Sequence, residues 1–166
     1  MNKLLKLPPL SLYIHYPWCL KKCPYCDFNS HDSEIEDGYI QALLKDLDGD
    51  LDYVQQRKIN SIFIGGGTPS LMSIKNVTDL FVGLNERLEF APNIEITLEA
   101  NPGAFEVDRF LEYRNIGINR LSIGVQSFND EQLKFLGRIH SGKEAQDAIV
   151  KAQNVGFDNF NIDLMY

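Results

Sequence analysis

The chain has 166 residues, of which 44% are hydrophobic and 23% charged, and its net charge is −7. That length and apolar fraction predict one globular domain rather than a disordered chain, and the acidic balance argues against a broad nucleic-acid surface, which needs a basic face. No apolar run approaches the ~20 residues of a membrane helix, and the opening MNKLLKLPPL is too short and Pro-rich for a signal peptide, so the expectation is a cytoplasmic chain without a transmembrane segment.

Short β-like runs alternate with helical patterns along the chain. The first run, Leu12–Tyr16, precedes a loop that carries all three cysteines. Ile35, Tyr39, Leu43, Leu47, Leu51 and Val54 then fall mostly four apart, the apolar stripe of a long helix. A second run, Ser61–Gly65, leads to a stripe of Ile74, Val77, Leu80, Phe81, Leu84 and Leu88, with Ser73 as N-cap. Ile94–Ala100 is the third run, followed by a shorter helix over Val107–Asn115. Arg120–Gln126 is the fourth, followed by a short turn at Glu131–Leu136. Ser141 and Glu144 form a capping box ahead of Ala145, Ala148, Ile149 and Ala152, with Gly156 as C-cap, and Asn159–Met165 is the last run.

Strands alternating with helices predict βαβ units and a parallel sheet. A closed eight-unit barrel takes roughly 250 residues, more than this chain has. The expectation is therefore an α/β fold: a partial, incomplete (β/α) barrel with about five parallel strands. Residues 1–166 would be the N-terminal part of a larger core domain.

The strands alternate instead of running continuously apolar, as strands covered on both faces by apolar matter do. Leu12 and Ile14 oppose Tyr13 and His15; Ile94, Ile96 and Leu98 oppose Glu95, Thr97, Glu99 and Asn101. Leu121, Ile123 and Val125 oppose Ser122, Gly124 and Gln126; Phe160, Ile162 and Leu164 oppose Asn161 and Asp163. If the apolar phase packs under helices, the polar phase faces a lumen that water, ligand or hydrogen-bonded partners must fill. A solvated face of an antiparallel sheet is the other reading, and long helical crossovers disfavour it.

Cys19, Cys23 and Cys26 stand in WCLKKCPYCDFNSH with the spacing C-x3-C-x2-C. Three chemistries compete for them. A structural zinc site needs four ligands; His31 is the candidate fourth, but no second pair of closely spaced ligands follows. A disulfide leaves one thiol over and does not suit a reducing cytosol. An iron–sulfur cluster on three thiolates leaves one iron open, as chemistry on a bound ligand requires. Lys21 and Lys22 inside the loop would favour thiolates and offset cluster charge, or are ordinary solvated charges. The position just after the first strand suits a site, because ligands in βα-repeat folds sit at the C-terminal ends of the strands.

The string LYIHYPWCLKKCPYCDFNSH, followed in order by FIGGGTPS, LEANPG, LSIGVQSFND, LGRIH and NIDLMY, resembles the radical S-adenosylmethionine (SAM) superfamily. Within it the likeness is to the oxygen-independent coproporphyrinogen III oxidase family, nearest its heme chaperone branch, and runs from about Ser11 to Tyr166. The resemblance implies a radical SAM barrel with a [4Fe-4S] cluster on Cys19, Cys23 and Cys26, and SAM on the fourth iron. Tyr13 and Tyr25 match positions that contact SAM. Gly66, Gly67 and Thr68 match a glycine motif that lets backbone approach the SAM amino group. Glu99, Gln126, Arg138 and Asp163 match further SAM contacts, the acids as acceptors for ribose hydroxyls and Arg138 as partner of the carboxylate. Tyr13, Glu99, Gln126 and Asp163 all lie on the lumen phase already read from alternation. His15 shares that phase without a role; His31 and His140 fall in loops, and Trp18 packs the cysteine loop.

The resemblance also implies an electron donor for the cluster, and heme and a heme-acceptor protein as partners. Its heme region lies beyond this chain's last residue, so no residue here is assigned to heme. The oxidases continue the loop as C-x2-C-x-C, whereas this chain reads Cys26-Asp27-Phe28. That favours a heme chaperone over the alternative, a coproporphyrinogen III dehydrogenase of porphyrin biosynthesis, and leaves enzyme activity open. The second alternative is a Cys3His zinc-binding module.

Overall fold

A computed structural model describes residues 7–33, 37–103 and 107–166. Five strands, β1 (Leu10–Tyr16), β2 (Ile59–Gly66), β3 (Phe90–Ala100), β4 (Arg120–Gln126) and β5 (Phe160–Leu164), form one sheet in the order 1-2-3-4-5. Each neighbouring pair is parallel. The crossovers carry α1 (Tyr39–Val54), α2 (Ile74–Arg87), α3 (Phe110–Ile116), α4 (Asp130–Phe135) and α5 (Gly142–Asn154). The result is the expected α/β arrangement, an open sheet with β1 and β5 at its edges. No helix among the described residues is long and apolar enough to cross a membrane.

The alternation governs the layering. Ile14, Ile62, Ile64, Ile96, Leu98, Leu121, Ile123 and Val125 are buried under the helices. Val77, Leu80, Phe81 and Leu84 of α2, Phe110 and Tyr113 of α3, and Ala145 and Ala152 of α5 meet them in a single core. The opposite phase stacks in rows across the sheet. Tyr13 pairs with Phe63, Phe63 with Thr97 and Thr97 with Arg120; one layer up, Glu99 pairs with Ser122 and Ser122 with Asn161. Such rows of inward side chains are how a barrel interior is filled.

Helix ends follow the expected chemistry in most places. Ser73 caps α2 by accepting from Asn76 N–H at 3.1 Å. At α5, Ser141 Oγ accepts from Glu144 N–H at 3.2 Å while Glu144 Oε2 accepts from Ser141 N–H at 2.7 Å, the reciprocal box. Several boundaries differ. β2 and β3 begin earlier than their β-branched runs, because edge residues such as Phe90 pair before the apolar pattern starts. Residues 131–136 are no mere turn: Asn129 accepts from Glu131 and Gln132 N–H and starts a helix at Asp130. The short helix over 107–115 is displaced to Phe110–Ile116 and ended by Gly117. Val155, not Gly156, is the C-cap of α5; Gly156 follows it with φ 88°, the left-handed position after the cap where glycine is favoured. The Ile35 end of the first apolar stripe lies outside the described residues.

Candidate functional site

The C-terminal ends of the strands and the loops beyond them enclose one cavity. Cys19, Cys23, Tyr25, Cys26, Gly66, Gly67, Thr68, Glu99, Gln126, Arg138 and Asp163 all line it. Eleven of the twelve residues singled out in the sequence therefore meet at one place. Tyr13 does not. Its side chain is in the predicted phase but a layer lower, stacked on Phe63 with ring centroids 6.3 Å apart and bonded to His15 Nδ1 at 3.0 Å.

The walls are built by backbone. Beyond β1, the ladder with β2 continues: Gly67 N–H donates to Tyr16 C=O and Thr68 N–H to Trp18 C=O, each at 2.7 Å. A Cβ on Gly67 would stand 2.5 Å from the Trp18 carbonyl oxygen, so only glycine lets the two strand exits approach this closely. Gly66 takes φ 118°, which turns its N–H onto Glu99 Oε2 at 3.0 Å. Trp18 packs the loop as expected: it is buried, edge-on to Tyr39 at 4.6 Å.

Glu99 is the site's half-buried carboxyl. Burial raises its pKa above the usual carboxylate value; the Gly66 N–H opposes this, the Asp163 carboxylate adds to it, and His15 opposes it. Asp163 accepts from Asn161 Nδ2 at 2.6 Å. Gln126 has φ 66°, a left-handed conformation for a residue with a Cβ, at the point where β4 leaves the sheet. Such strain persists only where surrounding structure imposes it and concentrates at functional sites.

Arg138 comes from the turn after α4 and binds three groups. Its Nη2 donates to Asn101 Oδ1 and to Gly124 C=O, both at 2.7 Å, and its Nη1 lies 3.5 Å from Cys23 Sγ. Its Nε is buried, with no hydrogen-bond partner among the described residues. Tyr25 sits beside this pair; burial is the main cause raising its phenol pKa, with Arg138 opposing and Cys23 adding. Asn101 also donates to Thr68 Oγ1 at 3.2 Å, linking the glycine turn to Arg138. Asn101, Ser122 and Gly124 line the cavity unassigned by motif, although alternation had placed all three on this face. Lys21, Phe28 and Ala100 complete the lining.

The cysteines are free thiols, each half-buried. Among the described residues no three His, Cys, Asp or Glu side chains gather closely enough to share one metal ion. His31 is exposed and does not line the cavity, so the zinc reading has no fourth ligand here. A cluster gives each sulfur its own iron, and its thiolates need not converge on one point. Three thiols on one loop, an unpaired buried guanidinium nitrogen and two acidic side chains across from them fit an iron–sulfur cluster with a zwitterionic nucleoside ligand.

Comparisons agree with that geometry. Residues 13–166 match the family described as the Radical SAM superfamily. The chain is 56% identical over 166 residues to the heme chaperone HemW of Escherichia coli K12, covering 98% of this chain and 44% of that protein. It is 56% identical over 168 residues to the heme chaperone HemW of Haemophilus influenzae, with 97% and 44% covered. It thus spans less than half the length of these curated relatives. Among solved structures, the coproporphyrinogen III oxidase HemN of Escherichia coli, a radical SAM enzyme, superposes with TM-score 0.80 at 31% identity, covering 95% of this chain and 37% of that one. The chain belongs to the radical SAM superfamily, and that membership implies a [4Fe-4S] cluster and SAM as its cofactors.

Proposed function

We propose that this chain is the N-terminal part of a radical SAM core in a cytoplasmic heme chaperone, a protein that binds heme and passes it to an acceptor. The observation that carries the reading is the 56% identity to two HemW proteins over nearly the whole chain. Phe28 supports it, standing two residues after Cys26 where the oxidases carry a further cysteine. A reducing compartment suits three thiols kept free for metal.

In this reading Cys19, Cys23 and Cys26 hold the cluster. When bound and reduced, cluster and SAM together supply a one-electron source and a 5′-deoxyadenosyl radical. The chain's own residues bind and orient. Arg138 offers its Nε to the SAM carboxylate while Asn101 and Gly124 hold its other nitrogens. Gly66, Gly67 and Thr68 present backbone to the amino group. Glu99, Gln126 and Asp163 face the nucleoside, and Tyr25 closes the cavity beside Cys23. Tyr13 acts from the layer below.

The test is metal, sulfide and heme-transfer analysis of the full-length protein purified without oxygen. The expected result is iron and sulfide near four each per chain, and heme passed to an apo-acceptor from the same cell. About one zinc without sulfide would overturn the cluster. Conversion of coproporphyrinogen to protoporphyrinogen with SAM and reductant would overturn the chaperone reading in favour of the dehydrogenase.

A further inference from the structure

The segment from Cys19 to His31 is tied down without use of its sulfurs. At its base Cys19 N–H donates to His31 C=O at 2.8 Å, and His31 N–H donates to Pro17 C=O at 2.7 Å. Trp18 and His31 thereby form an isolated parallel bridge that closes the loop. The returning limb then presents three successive carbonyls, those of Phe28, Asn29 and Ser30, and side chains take all three. His15 Nε2 meets Asn29 C=O at 2.8 Å. Lys22 Nζ donates to Phe28 C=O and to Ser30 C=O, each at 3.1 Å.

The hydrogen bonds specify the histidine. A carbonyl only accepts, so Nε2 carries the proton and Nδ1 accepts from the Tyr13 hydroxyl. The ring is held in place by the glycine turn, since a Cβ on Gly66 would lie 2.6 Å from His15 Cε1. Lys22 likewise is neither a free loop charge nor a lining residue. Its ammonium group is spent on the two carbonyls, whereas Lys21 faces the cavity.

We propose that His15 and Lys22 are positioning residues that hold the cysteine loop in its ligating shape before metal arrives. The cluster then enters a preformed cradle instead of organising a slack loop. The proposal rests on the cluster reading above. Ordering a loop of this length costs conformational entropy. Where protein side chains already order it, that cost falls in folding and is not subtracted from metal affinity. His15 reaches the limb from β1 and Lys22 from between Cys19 and Cys23, so the two struts approach the same three carbonyls from different parts of the chain.

The test uses His15→Phe, which keeps a flat ring beside Gly66 but no nitrogen, and Lys22→Met, which keeps the stem without the ammonium. His15→Gln and Lys22→Arg are the rescue variants, each retaining an N–H donor. Amide hydrogen exchange over residues 20–30 is followed in the metal-free full-length protein, and iron and sulfide uptake is timed during reconstitution. Loss of the His15 strut is expected to speed exchange in that segment about tenfold, the factor one ordinary hydrogen bond supplies, and loss of the two charge-assisted Lys22 bonds by at least as much. Cluster formation should slow to a similar extent, with exchange in β3 and β4 unchanged and both rescue variants near wild type. Wild-type exchange and uptake in His15→Phe and Lys22→Met would overturn the proposal. Should the wild-type protein itself take up no iron and sulfide, the cluster reading fails, whereas faster segmental exchange alone would still report the brace. If His15→Phe does not fold, Lys22→Met against its rescue Lys22→Arg carries the same comparison.

Discussion

Gly67→Ala is the substitution whose effect follows most directly from geometry. The added Cβ would lie 2.5 Å from the Trp18 carbonyl oxygen, 2.8 Å from its carbon and 2.9 Å from the Pro17 carbonyl carbon. All three neighbours are backbone, so no side chain can rotate out of the way. Relief requires the exits of β1 and β2 to separate, which lengthens the two 2.7 Å bonds from Gly67 and Thr68 N–H to Tyr16 and Trp18. Losing two hydrogen bonds of about 1 kcal/mol each, with partial exposure of the groups they satisfied, gives a loss of about 3 kcal/mol. Urea unfolding of the full-length protein measures it. Gly49→Ala is the matched control, because a Cβ there meets nothing within 4 Å and the residue sits inside α1. It should gain about 0.5–1 kcal/mol. Trp18 adjoins Cys19, so Gly67→Ala should also lower iron content after reconstitution. A Gly67→Ala protein within about 0.5 kcal/mol of wild type, with full iron content, would refute the reasoning.

Further expectations concern the cavity and its rim. Gln126→Gly relieves a left-handed φ and should stabilise the protein by about 1 kcal/mol; it should also weaken SAM about tenfold through one lost hydrogen bond. Undiminished SAM binding by equilibrium dialysis would remove Gln126 from the site. Arg138→Lys can put one ammonium where Nη2 meets Asn101 and Gly124 but has no second nitrogen for Cys23 and no Nε, since an ammonium lacks the planar fork. It is expected to cost about 2 kcal/mol in urea unfolding and to shift the cluster's visible spectrum; an unchanged spectrum would detach Arg138 from Cys23. His140 is buried, and burial holds its pKa below the ordinary value near 6.5, a bond to Val125 C=O only partly opposing this. The unfolded chain therefore takes up this proton at higher pH than the folded one, so stability should fall as pH drops through 6.5 and below. His140→Asn should flatten that part of the unfolding profile; identical profiles for variant and wild type would contradict it.

Legibility in the sequence followed what is periodic or local. Alternation put Glu99, Asn101, Ser122, Gln126 and Asp163 on one face before any motif was considered, and all five line the cavity. Capping chemistry is local, and Ser73 and Ser141 behaved as their neighbours dictate. What stayed hidden depends on contacts between distant segments. Arg138 reaches Cys23 across 115 residues, and Asn101 links it to Thr68. Gln126 gave no sign of a left-handed backbone because it is not glycine. Tyr13 had the right phase, but phase does not specify height along a strand, and it sits one layer below the cavity. Lys22 read either as a charge favouring the thiolates or as a solvated one, because nothing in the spacing shows where the loop's carbonyls return.

The strand order 1-2-3-4-5 has a consequence for synthesis at the ribosome. Every strand pairs with the one made just before it, so no segment waits for a distant partner before its ladder can close. The cysteine loop, its two struts and the glycine turn that anchors it all lie within the first 68 residues. That half of the cradle can take shape while Asn101, Gln126 and Arg138 are still untranslated. Emerging thiols would then be shielded in a structured pocket early, and the later strands would complete the ligand side from one direction, vectorially.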